Sequence, residues 1–176
     1  FQSVTPRTAG FNTIDQTALS TESSIVTIIL MLIGGSPGST AGGIKTTSFA
    51  VMLLCTISFI RRKGGIEVFD RRLPGSVLPN AVTLVVLYFS GMLLGAMFIS
   101  IRDGLPLLQC CYETTSAIAT VGLSVGISSE ASLPSRIVLI ALMYLGRLGG
   151  LTLLYAMQRN YRAPLSRKPE ESVTVG

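Results

Sequence analysis

Thr120-Val121-Gly122, inside Thr114–Gly126, places a hydroxyl residue, a branched residue and a glycine in a row within otherwise apolar surroundings. The chemistry open to such a segment is coordination by backbone oxygen. Carbonyls turned toward an aqueous cavity can take over the hydration shell of an alkali cation. In hydrocarbon, non-helical backbone persists only where it lines such a cavity or is buried in protein, because its N–H and C=O groups find no water. A second segment, Thr8-Ala9-Gly10-Phe11, falls on Thr120-Val121-Gly122-Leu123 when Gln2–Asn12 is set beside Glu113–Ser124 with one residue gapped. Each copy precedes a long apolar run, so the two read as repeats of one unit.

The glycine-rich stretch Gly34–Thr47 (GGSPGSTAGGIKTT) carries a different chemistry. A phosphate-binding loop needs a lysine directly after its last glycine. Here Ile44 separates Gly43 from Lys45, and no strand pattern precedes the loop, so nucleotide binding is excluded. Gly34, Gly35, Gly38, Gly42 and Gly43, with Pro37, cannot hold helix, while Ser36, Ser39 and Thr40 offer oxygens to the freed backbone and Ala41 completes the run. This reads as a broken membrane helix, an arrangement found beside substrate pathways. Lys45 and Arg147 are cations inside apolar segments, and such charges face cavities. Gly146, Gly149 and Gly150 around Arg147 allow another segment to come close. Arg7, three residues before Gly10, is expected to point behind its loop and brace it. Glu113 reads equally as a carboxylate bonded to amides behind the Thr120 segment or as an end-of-helix charge.

The elements that position these residues are membrane elements. Hydrophobic residues make up 48% of the chain and charged ones 13%, and the mean hydropathy is +0.59. The 18 glycines suit close-packed membrane helices. Absence of histidine removes His-bearing zinc sites and His-based acid–base catalysis, and the nine carboxylates are scattered. Cys55, Cys110 and Cys111 read as small packing residues. Ser23–Ile60 is too long for one span of about 20 residues and divides into half-helices over Ser23–Ile33 and Thr46–Ile60. Val77–Ile101 and Leu133–Gln158 are the second and third spans, the latter with Arg136 near its start. Pro106–Ala119 is too short to cross and reads as a re-entrant pore helix. Arg61, Arg62, Lys63, Arg71 and Arg72 crowd one loop, and Arg159, Arg162, Arg167 and Lys168 crowd the tail; together they are nine of 14 basic residues. The positive-inside rule makes both cytoplasmic, which explains the net charge of +5 without nucleic-acid binding. The absence of an initiator methionine is read as a piece of a longer protein.

The strings Thr5–Thr13 (TPRTAGFNT), Gly34–Thr47, Thr120–Ser124 (TVGLS) and Gly146–Gly149 (GRLG) resemble the Trk/Ktr superfamily of potassium transporters, most closely its KtrB-type membrane subunit. The likeness covers nearly the whole chain. It implies an all-α polytopic membrane protein built from helix–pore-loop–helix repeats of potassium-channel-like architecture. On that reading 1–13 is the pore loop of a third repeat and 14–60 its broken second helix, with an intramembrane gating loop at 34–45. Residues 61–76 form a cytoplasmic loop, 77–157 a fourth repeat, and 158–176 a cytoplasmic tail. The resemblance makes Thr8, Ala9, Gly10, Phe11, Thr120, Val121, Gly122 and Leu123 a selectivity filter for potassium, with Gly10 and Gly122 central. It makes Gly34–Gly43, Lys45 and Arg147 the gate. It further implies no organic cofactor, a homodimer in the bacterial inner membrane among lipids, and a docked cytoplasmic ring of nucleotide-binding regulatory subunits. Ala119 stands where the family leads us to expect glycine. Two sides cannot close a four-sided filter, so the chain alone is expected not to conduct. A conventional potassium channel subunit is the alternative, but two unlike segments in one chain favour pseudo-symmetric repeats. A membrane hydrolase lacks the residues it would need.

Overall fold

The computed structural model describes residues 1–61, 67–68 and 71–149. Helix α1 (Thr21–Leu32) starts at Ser20, whose hydroxyl accepts the Ser23 amide, so it begins two residues before the predicted half-helix. Helix α2 (Thr46–Ile60) has the predicted limits. Helix α3 (Val77–Asp103) passes the predicted Ile101 by two residues and stops where Gly104 turns left-handed. Helix α4 (Leu107–Ile118) follows Pro106, α5 (Ile127–Glu130) is a single turn, and α6 begins at Leu133 and is described to Leu148. The remainder of the third span and the basic tail lie outside the described residues, as do Arg62 and Lys63. An element absent from the sequence reading is an antiparallel pair of two-residue strands, β1 (Glu67–Val68) and β2 (Arg71–Arg72), with Glu67 opposite Arg72. The architecture is otherwise helical.

The buried centre mixes polar with apolar residues, while much of the outer face is apolar. Helix α4 sits at the centre, packed by α1, α3 and α6, and is buried from Tyr112 to Ile118 although it carries Glu113, Thr114, Thr115 and Ser116. The Thr114 hydroxyl returns to the Cys110 carbonyl at 2.9 Å and that of Thr115 to Cys111 at 2.6 Å, so neither is orphaned. The outward residues of α3 and α6 are apolar: Val86, Leu94 and Ile101 are 60%, 69% and 80% exposed, and Ile137 and Ile140 are similar. Apolar surface on this scale marks a non-aqueous environment or a partner. Among the described residues, α3 alone is long and apolar enough to cross a membrane.

Two long-range contacts fix α4. Tyr112 donates to the buried Gln16 side chain at 2.8 Å. Gln16 opens a 3-10 turn (Gln16–Ala18) capped by Asp15, which accepts the Thr17 amide and hydroxyl at 2.9 and 2.8 Å. Those bonds, the amide first, hold the Asp15 carboxyl below its ordinary value. On the other side, a Cβ on Gly146 would overlap the Ile118 carbonyl oxygen, so glycine is what lets α6 reach the end of α4.

Candidate ion-binding site

The two repeated segments meet. Among the described residues, Thr8 and Thr120 are the non-glycine residues with positive φ, at 63° and 54°. Gly10 and Gly122 follow two positions later, at 73° and 96°. The aligned segments therefore share an alternation of backbone handedness as well as residue types. They also touch: a Cβ on Gly10 would overlap the Val121 carbonyl oxygen. Their N–H groups turn back into the protein. Ala9 and Gly10 donate to the Thr5 carbonyl at 3.1 and 3.0 Å, Thr120 to Ala117 at 3.1 Å, and Val121 to Ser116 at 2.9 Å. Gly122 donates to the Ser116 hydroxyl at 3.2 Å. No hydrogen bond among the described residues ends on the carbonyls of Thr8, Ala9, Gly10, Thr120, Val121, Gly122 or Leu123. A cavity of about 490 Å³ opens beside Thr120–Ser124.

Both segments are tied at their far ends through the aligned residues Glu113 and Gln2, in opposite senses. Glu113, 6% exposed, accepts the Ser124 hydroxyl at 2.8 Å and the Val125 amide at 3.2 Å. The first of its two sequence readings is therefore the observed one. Its aligned partner Gln2 donates to Thr13 at 2.9 Å, from an exposed position. Removing Glu113 strands a polar pair, at about 1–3 kcal/mol for each unsatisfied buried group. Glu113→Ala is accordingly expected to lower the melting temperature of the full-length protein in detergent. Glu113→Gln, which keeps one accepting oxygen, should lower it by less. Equal melting temperatures for all three proteins would discount the tie.

The glycine-rich loop lies directly beneath. Its ends are joined by Gly34 N–H to Ile44 at 2.9 Å, Ile44 N–H to Leu32 at 3.0 Å and Thr46 N–H to Gly35 at 3.2 Å, with a bridge between Ile33 and Ile44. Residues 36–43 project from this staple. A Cβ on Gly42 would overlap the Thr120 hydroxyl and come within 2.6 Å of the Ala119 carbonyl oxygen. Two cations hold the projection. Lys45 donates to Ala41 and, at 3.2 Å, to Ser39. Arg147 donates from α6 to the Thr40 carbonyl at 2.7 Å. A cavity of about 450 Å³, lined by the loop, Tyr88, Arg147 and Leu148 among others, lies next to it.

The family described as TrkH, a cation transport protein, matches residues 1–162. The chain belongs to the TrkH family. It is 35% identical over its whole length to Ktr system potassium uptake protein B of Bacillus subtilis strain 168. Identity is 38% to the protein of the same name from Vibrio alginolyticus and 36% to potassium/sodium uptake protein NtpJ of Enterococcus hirae. These alignments cover 39%, 38% and 40% of the relatives, so the chain spans about two fifths of their length.

In this TrkH-family chain the structure brings together the residues singled out from sequence, with two differences of detail. Arg7, expected to brace its own loop, reaches the Gly34 carbonyl at 3.5 Å and so ties the first segment to the glycine-rich loop. Lys45 borders the cavity, as a midplane charge should, but its ammonium is engaged with carbonyls of its own loop. Residues that sequence reasoning passed over are Thr5, Gln2, Ser116 and Ser124. With the gapped residue of the repeat placed between Thr5 and Thr8, Gln2 falls on Glu113 and Thr5 on Ser116, so paired polar residues recur at one offset. The Phe11 carbonyl accepts the Thr5 hydroxyl at 2.7 Å, a bond the residue types alone did not imply.

Proposed function

We propose that this chain is part of the ion-conducting subunit of a potassium-uptake system in a bacterial plasma membrane. Residues 1–13 and 14–60 supply the pore loop and broken second helix of one repeat. Residues 77–157 supply the next repeat, 61–76 a cytoplasmic loop and 158–176 a cytoplasmic tail. Carbonyls of Thr8, Ala9, Gly10 and Phe11, with those of Thr120, Val121, Gly122 and Leu123, strip and select the ion. The loop at 34–45 gates it from below, held by Arg147, while Arg7 and Glu113 support the pore loops. Potassium is cargo, and backbone oxygen is the ligand type suited to it.

The observation that carries the reading is the contact of two segments with alternating handedness, in which the N–H groups of Ala9, Gly10, Thr120, Val121 and Gly122 are held by protein acceptors. In an extended chain successive carbonyls point to opposite sides; left-handed residues at alternate positions turn them to a common side. Two such segments give two sides of a ring, and the remaining sides belong to the rest of the subunit. We further propose, from the likeness to the Ktr proteins, a homodimer of the full subunit within lipid. A ring of nucleotide-binding regulatory subunits would dock against its basic cytoplasmic face, and nucleic acid has no part.

The full-length protein should restore growth at low potassium to a bacterium stripped of its own potassium uptake, with saturable rubidium or potassium entry. No growth despite normal membrane abundance, or entry of another cation in place of potassium, overturns the proposal.

A further inference from the structure

We propose that Thr5 and Ser116 are positioning residues that decide which backbone oxygens of the two segments face the ion, an inference that rests on the filter reading above. The repeat alignment puts the two hydroxyl residues opposite each other, and both are buried, at 2% and 4% exposure. Their backbones do related work: the Thr5 carbonyl holds the Ala9 and Gly10 N–H groups at 3.1 and 3.0 Å, and the Ser116 carbonyl holds the Val121 N–H at 2.9 Å. Their side chains do opposite work. Thr5 donates to the Phe11 carbonyl at 2.7 Å, whereas Ser116 accepts the Gly122 amide at 3.2 Å.

The planar peptide converts this difference into a difference of sides. N–H and C=O of one trans peptide point in opposite directions, so holding the Gly122 N–H inward aims the Val121 carbonyl outward. In the first segment the equivalent peptide, Ala9–Gly10, is held by the Thr5 backbone carbonyl at 3.0 Å, which no substitution removes. In the second it depends on a single side-chain oxygen. Glycine at 122 is free to adopt either hand, so losing that oxygen releases the peptide to turn over. Meanwhile Thr5 draws on an oxygen at Phe11 that is unengaged at the aligned Leu123. An ion therefore meets two unequal sides, one anchored by backbone and one by a hydroxyl.

The test uses the full-length protein in the uptake-deficient bacterium, with membrane abundance measured alongside. Ser116→Ala is expected to lower the preference for potassium over sodium by about fivefold, the scale of one lost hydrogen bond. Ser116→Thr should keep the wild-type preference, and Ser116→Cys, with a weak sulfur acceptor, should fall between. Thr5→Val preserves shape but frees the Phe11 oxygen. It is expected to change the rubidium-to-potassium uptake ratio at least about twofold, while Thr5→Ser does not. Wild-type preference in Ser116→Ala and Ser116→Cys overturns the assignment of Ser116, and a wild-type ratio in Thr5→Val overturns that of Thr5. Gly122→Ser separates the two levels. If it shifts selectivity while the hydroxyl variants do not, the positioning proposal alone fails; if neither shifts it, the filter reading fails as well. Should Ser116→Ala not reach the membrane, Ser116→Cys decides.

Discussion

Gly10→Ser is expected to abolish potassium uptake by the full-length protein and to deplete the folded protein, whereas Gly122→Ser is expected to leave folded protein that has lost selectivity. Both glycines are left-handed, with φ of 73° and 96°, and a side chain in that region costs about 1–2 kcal/mol. Thr8 and Thr120 carry the same cost within this fold, so strain alone is survivable. Space separates the two cases. A Cβ at Gly10 overlaps the Val121 carbonyl oxygen, and nothing flexible is available to yield; a Cβ at Gly122 meets nothing within 4 Å. The first substitution must therefore push the two segments apart. The second leaves them in contact and projects a hydroxymethyl group into the space beside the candidate ion path. Size-exclusion profiles of solubilised protein, with potassium and sodium uptake in cells, distinguish them. Uptake should fall more than about 100-fold in Gly10→Ser, more than two ordinary interactions' worth. Potassium-over-sodium preference in Gly122→Ser should fall about tenfold. A Gly10→Ser protein that transports normally would remove the contact between segments from any account of the pore.

Arg147→Gln is expected to raise potassium flux in the absence of any activating partner. The guanidinium donates to the Thr40 carbonyl at 2.7 Å, a bond from α6 to the tip of the glycine-rich loop. A hydrogen bond to a charged group contributes about 1.5–3 kcal/mol, so its loss shifts the balance between held and released loop by about 10- to 150-fold. Arg147→Lys keeps the charge but not the planar fork, and its flux should fall between wild type and Arg147→Gln. Lys45, bonded to Ser39 and Ala41, keeps the loop's shape in both variants, so the loop is released without being unravelled. Flux of rubidium into proteoliposomes containing the full-length subunit alone reads this directly. If Arg147→Gln is inserted normally and its flux equals wild type, the loop is not held shut by this bond.

The parts of this molecule that were legible in the sequence are those encoded locally. Thr46–Ile60 was bounded correctly because Gly42, Gly43 and Lys45 end the loop and an uninterrupted apolar run begins at once. Helix α4 was foreseen from Pro106 and the shortness of its apolar stretch. The repeat at Thr8 and Thr120 was readable as residue types, and the backbone repeats it as handedness. What escaped was set by partners far along the chain. Arg147 and Thr40 lie 107 residues apart, and Tyr112 and Gln16 lie 96 apart; no local pattern specifies such pairs. Arg7 illustrates the same limit, since its sequence neighbours advertise the Gly10 loop while its reach ends at Gly34. The pairing of Glu67–Val68 with Arg71–Arg72 hides behind a run of charge that reads only as topology.

The staple between Ile33 and Ile44 has a mechanical consequence. Because the loop is closed at its base by Gly34, Ile44 and Thr46, residues 36–43 can swing while α1 and α2 keep their tilt and separation. On the proposed gate reading, the outline of these two helices in the plane of a membrane is then the same whether the passage is shut or open. Lateral tension does work only in proportion to a change in that outline, so stretching a bilayer would have no lever on a loop hinged in this way. If the loop gates the passage as proposed, the gate would answer to what binds near the loop and not to swelling of the cell.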